Sequence, residues 1–101
     1  MYSISLIEEE RLRQIYIEGY TSEHDDTESE GQLSRAAALY ALPSHLRWYI
    51  KYLWPWGDDD YKPDKEYTDE GRIRELVKAG ALISAEIDRI KRLSDAKKNT
   101  N

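Results

Sequence analysis

Apolar residues recur along this chain at helical spacing, and no stretch alternates polar and apolar as a half-buried strand would. A first helix is predicted from about Leu6 to Gly19, with Leu12 and Ile15 on one stripe. Ser5 and Glu8 read as a capping box, in which each side chain satisfies an orphan backbone N–H at the helix start. Glu8, Glu9 and Glu10 suit the positive end of the helix dipole, and Gly19 ends the helix. Residues 20–31 are polar throughout and read as a loop.

A second helix is predicted over about Gln32 to Leu42, with Leu33, Ala36, Ala37, Tyr40 and Ala41 on one face. Pro43 stops it, because its ring blocks continuation. Ser44 opens a third, short helix to about Leu53, with Leu46, Ile50 and Leu53 as its apolar line. The stretch from Trp54 to Pro63 holds two Pro, one Gly and three consecutive Asp, which excludes regular structure. In the last helix Thr68 is the cap and Asp69 and Glu70 occupy the first turn. Ile73, Leu76, Gly80, Ile83, Ile87 and Ile90 then follow alternating steps of three and four, a coiled-coil-like seam of about three heptads. Gly80 costs about 1 kcal/mol against Ala in a helix interior. It is expected where another helix packs tightly, the Ala face of the second helix being the candidate.

The fold expected is therefore all-α: a small bundle of three to four helices with a long C-terminal helix. One domain covers 1–94, and 95–101 form a flexible tail. The 101 residues fit one domain with a modest core, and 40% hydrophobic against 35% charged content is well above the disordered regime. Phe is absent, so eight Tyr and three Trp carry all the aromatic mass. Both types favour half-buried surfaces, and so small a chain is expected to complete its core as a homo-oligomer.

Cysteine is absent, which excludes disulfides, thiolate metal sites and a cysteine nucleophile. No apolar run approaches the roughly 20 residues that span a bilayer, and Met1 to Ile4 lack the basic and apolar segments of a signal peptide. The expected compartment is the cytoplasm, with no membrane partner. A net charge of −5 argues against general nucleic-acid binding. The charge is uneven: residues 22–30 are acidic, whereas Arg89, Lys91, Arg92, Lys97 and Lys98 make the end basic.

Glu23-His24-Asp25-Asp26 has the adjacent His and Asp of metal-dependent phosphohydrolases, but no second His precedes it to complete a metal shell. The bland reading is a solvated turn; between the two lies a pocket that uses His24 and Asp25. Magnesium-binding carboxylate spacings are incomplete: Glu66 and Asp69 flank a helix start, and Glu86 and Asp88 point to different sides. No phosphate loop and no nucleophile elbow occurs. Trp54, Trp56 and Tyr61 surround a Pro-Trp-Gly turn near Lys62, a set suited to stacking a base beside a phosphate. Trp54 reads better as a cap on the core. Arg11, Arg13 and Gln14 present a phosphate clamp or ordinary pairing with Glu9 and Glu10, and Lys78 carries the same ambiguity.

Several stretches together resemble a family of small proteins encoded by bacteriophages and prophages. They are Glu10-Arg11-Leu12-Arg13-Gln14, Glu18 to Asp26, Gly31 to Ala37 with Tyr40-Ala41, Trp54-Pro55-Trp56, Lys62-Pro63, and Leu76 to Ile83 with Ala85 to Arg89. The resemblance runs from about residue 7 to 92 and brings no established activity with it. Tyr20 and Tyr61 stand where the family pattern has Trp, swaps that keep an aromatic face. Small phage proteins without catalytic machinery are often inhibitors of host defence. The expectation is a non-enzymatic, cofactor-free binding protein that sequesters a nucleotide-type immune signal. Arg11, Gln14, Tyr20, His24, Asp25, Trp56 and Lys62 are its candidate ligand residues. The alternatives are an acidic inhibitor of a host defence protein and a metal-dependent nucleotide hydrolase. His24, in a polar loop, and Trp56, on a turn, are expected to matter more for binding than for folding.

Overall fold

In the computed structural model, which describes residues 1–99, the first helix (α1) spans Tyr2–Tyr16. It starts one turn before the expected capping box. No side chain caps it, and the Ser5 N–H bonds the Met1 carbonyl at 3.1 Å instead. Residues 2–5 of the added turn are exposed, and Ile7, inside the expected helix, lies against Gly80 of the last helix. Gly19, at φ +78°, does turn the chain, and the Tyr20 N–H closes back onto the Gln14 carbonyl at 2.9 Å.

The polar stretch that reads as a loop contains a short helix, α2 (Ser22–Asp26). Thr21 caps it by accepting the His24 N–H at 3.3 Å. Its Asp25 is fully buried. Polarity misleads here because the carboxylate is buried with a charged partner, described below.

Helix α3 (Gln32–Ala41) buries Leu33, Ala36, Ala37 and Tyr40 against Ala79, Leu82 and Ala85 of the last helix. Leu39 is buried too, while Ala41 is exposed. The predicted third helix is absent. Two 3-10 turns, Ser44–Leu46 and Lys51–Leu53, stand in its place. Arg47 is buried in this segment and makes two parallel bonds to Glu75, at 2.8 and 2.9 Å. That tertiary anchor acts together with the weak helix preference of Trp48, Tyr49 and β-branched Ile50.

Helix α4 (Asp69–Lys98) begins as expected, with Thr68 Oγ1 accepting the Gly71 N–H at 3.0 Å. It does not stop near Ser94. Lys91 pairs with Asp95 one turn on at 2.7 Å, and Lys97 and Lys98 sit at the negative end of the dipole. The expected flexible tail is thus helical to Lys98, and its residues 100–101 lie outside the described ones. Gly80 serves α1 rather than the Ala face of α3: a Cβ there would stand 2.7 Å from Ile7 Cδ1. With α3 on one side and α1 on another, the third side of α4 is open. Ile73, Leu76, Ile83, Ile87 and Ile90 are all exposed on it. The result is an all-α bundle with one long C-terminal helix. No described helix is long and apolar enough to cross a membrane.

Candidate functional site

Aromatic rings run in a continuous line from α2 to the core. His24 stacks on Tyr20 with centroids 4.7 Å apart, and Tyr20 lies 6.4 Å from Trp56. Trp56 meets Trp54 edge-on at 5.2 Å, and Trp54 meets Tyr40 edge-on at 5.7 Å. Pro55 and Gly57 shape the turn that carries both indoles. Trp54 Nε1 donates to the Gly57 carbonyl at 3.0 Å and Trp56 Nε1 to Glu28 at 3.2 Å, so each polar handle has a partner. Trp54 packs on the core, as its sequence context implied, and Trp56 packs beside it.

One flank of this line faces a small polar pocket. Tyr20, Tyr40, Trp54, Trp56 and Leu82 form its apolar walls; Arg13, Lys62 and Lys78 bring positive charge, and Glu10, Glu18 and Asp60 negative charge. Its volume is about 70 Å³. Gln14 is buried at its base. Gln14 Nε2 donates to Glu10 at 3.3 Å, but Gln14 Oε1 has no protein partner. A buried acceptor left unpaired costs about 1–3 kcal/mol, so this oxygen is a local cost at the pocket wall.

The cations differ in how they are held. Arg13 is spoken for by Glu10, at 2.7 and 2.9 Å, and by Glu18, at 2.8 Å. Its hydrogen bond holds the Glu18 carboxyl below the usual range. Lys78 has no such carboxylate. Its Nζ sits 5.4 Å from the Tyr40 ring centroid and 3.4 Å from the Lys62 carbonyl. Burial pushes the Lys78 ammonium below its ordinary pKa, and burial pushes the Tyr20 and Tyr40 hydroxyls up. An adjoining groove of about 570 Å³ shares Glu10, Arg13, Glu18, Lys62 and Lys78 with the pocket and adds Tyr2, Leu6, Ile73 and Val77.

The structure divides the sequence-derived candidates. Gln14, Tyr20, Trp56 and Lys62 come together in the pocket. Arg11, His24 and Asp25 form a neighbouring ion cluster beneath Tyr20. Arg11 reaches Asp25 Oδ2 at 2.6 Å, and His24 Nδ1 lies 3.1 Å from Asp25 Oδ1. Both carboxylate oxygens are therefore occupied, one of them by an arginine standing where a metal ion would need to be. Among the described residues no three His, Cys, Asp or Glu side chains gather as a metal shell. The acidic stretch is also partly neutralised, since Asp26 pairs with Arg92 of α4 at 2.8 Å.

Sequence reasoning missed a second buried cluster. Glu75 takes both bonds from Arg47, a third from the Asp64 N–H at 2.8 Å and a fourth from Arg72 at 3.2 Å. Burial alone would push Glu75 up; these donors together hold it below the usual carboxylate range. Arg72 also bonds the Tyr40 and Leu42 carbonyls, at 2.9 and 3.2 Å, which closes the end of α3. No protein-family model, curated protein or solved structure matches the chain.

Proposed function

We propose that this chain is a non-enzymatic binding protein for a nucleotide-type ligand. In this reading the phosphate meets Lys62 and Lys78, and the base lies against the aromatic wall or the adjoining groove. The observation that carries it is the half-buried Lys78, which no carboxylate meets at ion-pair distance, in the same pocket as Gln14 and against the Tyr40 ring. A half-buried cation that only the nearby Glu10 offsets, without a direct ion pair, is stabilised further by an arriving anion. The small pocket of about 70 Å³ takes one phosphate or one base edge. The groove of about 570 Å³ matches the size range of small-molecule sites. Together with the resemblance to small phage proteins, this supports a counter-defence role in the cytoplasm of an infected host, by sequestration of an immune signal.

The test is incubation with a bacterial nucleotide extract, removal of free nucleotide, denaturation and mass spectrometry of what is released. An intact nucleotide is the expected product. A hydrolysed product that appears only with added metal contradicts the reading in favour of an enzyme. Release of nothing contradicts it in favour of direct binding to a host defence protein.

A further inference from the structure

We infer that the open side of α4 pairs with the same side of a second copy of this chain, antiparallel and about a two-fold axis near residues 81–82. The seam residues are well exposed in one chain, from 39% for Ile73 to 60% for Ile87. Ile73 to Ile90 extend about 26 Å along the helix. A row of large aliphatic side chains that long on a small protein marks an association surface.

The spacing admits a second copy. Steps of three, four, three, four and three read the same in both directions. Reversal of one copy therefore sets Ile73 against the partner's Ile90, Leu76 against the partner's Ile87, and Gly80 against the partner's Ile83. Every layer then matches a position with its heptad counterpart, as antiparallel coiled coils require. Ile7 of the same chain already covers Gly80, so the central layer is closed by Ile83 and Ile7 rather than by close approach of the two α4 helices. A self-complementary seam of this kind is what an isologous interface needs.

Charge selects the same direction. Helix α4 begins with Asp69 and Glu70 and ends with Lys91, Lys97 and Lys98. Antiparallel pairing brings Glu70 beside the partner's Lys91, whereas parallel pairing stacks acid on acid and base on base. Val77 and the partner's Ser84 flank the middle, where no charge is buried. Glu70 and Ile73 also line the large groove next to the polar pocket. The partner's α4 therefore forms an outer wall of that groove and places Lys91 at its edge. The pairing itself rests on the seam and does not depend on the ligand reading.

The chain has no cysteine, so introduced thiols report geometry without interference. Leu76→Cys and Ile87→Cys chains are prepared separately, mixed and equilibrated in a glutathione buffer. The mixed 76–87 disulfide is expected to dominate; a dominant pair of homodisulfides overturns the antiparallel arrangement. Sedimentation of the unmodified chain at tens of micromolar is expected to give twice the 11.9 kDa chain mass. Ile87→Glu is expected to give the monomer mass at unchanged helix content, because Ile87 is exposed within one chain. A monomeric parent overturns the inference and leaves the face to a different protein. An Ile87→Glu chain that stays dimeric overturns it by placing the interface elsewhere.

Discussion

Two buried polar clusters flank the core of this bundle, and they differ in one respect. The Arg47–Glu75 cluster is nearly saturated: Glu75 accepts four bonds, and only Arg47 Nε is left without a partner. The Gln14–Lys78 pocket is underfilled, with an unpaired amide oxygen and an ammonium that burial penalises. Both lie beside Tyr40, since Arg72 bonds its carbonyl and Lys78 lies by its ring. A nearly saturated cluster locks helices together and, the Arg47 Nε aside, has its charges already paired. An underfilled one costs stability until something enters it. The contrast separates saturated charge from unsaturated charge more sharply than residue type does.

The largest effect is expected at the saturated cluster. Glu75→Ala strands a buried guanidinium and should destabilise by about 3–5 kcal/mol, read from the urea midpoint. The same carboxylate sets an acid limit. Its folded pKa is depressed, so its contribution is fully present above the ordinary glutamate value of about 4.3 and is lost as pH falls through the lower folded value. Urea midpoints that do not decline below that pH would break this account of Glu75. Lys78 has the opposite sign at the alkaline end. Its depressed pKa means that the unfolded chain holds the proton longer, so stability rises with pH between the folded value and the ordinary one.

Asp25→Ala should cost about 3 kcal/mol, because Arg11 loses the partner that compensates its burial. If it melted like the parent, the Arg11–Asp25–His24 cluster would belong with the pocket instead. Next in size is Gly80→Ala, at about 1–3 kcal/mol from the forced shift of Ile7. Ile7→Val beside it should recover part of that loss, and a double-mutant cycle without coupling would contradict the close approach of α1 and α4. The smallest effect is expected for Lys78→Met, which keeps the side-chain volume and removes the buried charge. Its midpoint should stay within about 0.5 kcal/mol of the parent or rise.

The parts legible in the sequence were those that periodicity encodes. The apolar face of α3, the Thr68 cap, the seam of α4 and the core side of Trp54 all follow from spacing and cap chemistry. The charged interior was not legible. Asp25 meets Arg11 from 14 positions away and Glu75 meets Arg47 from 28. A pattern that equates polarity with exposure reads each of these as surface, and so turned α2 into a loop and the Arg47 segment into a helix. His24 and Trp56 were expected to be dispensable for folding. In the fold His24 lies against the buried Asp25 and Trp56 packs beside the core, contacts that spacing alone does not show. Lys78 stayed ambiguous between a phosphate contact and ordinary helix-surface pairing, and only the fold places it against the Tyr40 ring.

Lys78 therefore gives the most direct test, because its loss separates binding from folding. Isothermal titration of ribonucleotide mono-, di- and triphosphates and cyclic dinucleotides is run in parallel on the parent chain and on Lys78→Met. The account predicts that at least one of these binds the parent and that Lys78→Met weakens it at least about tenfold, the equivalent of one charged hydrogen bond, with an unchanged melt. Equal affinity in the two chains, or no binding to the parent, would contradict the claim that this pocket is the site.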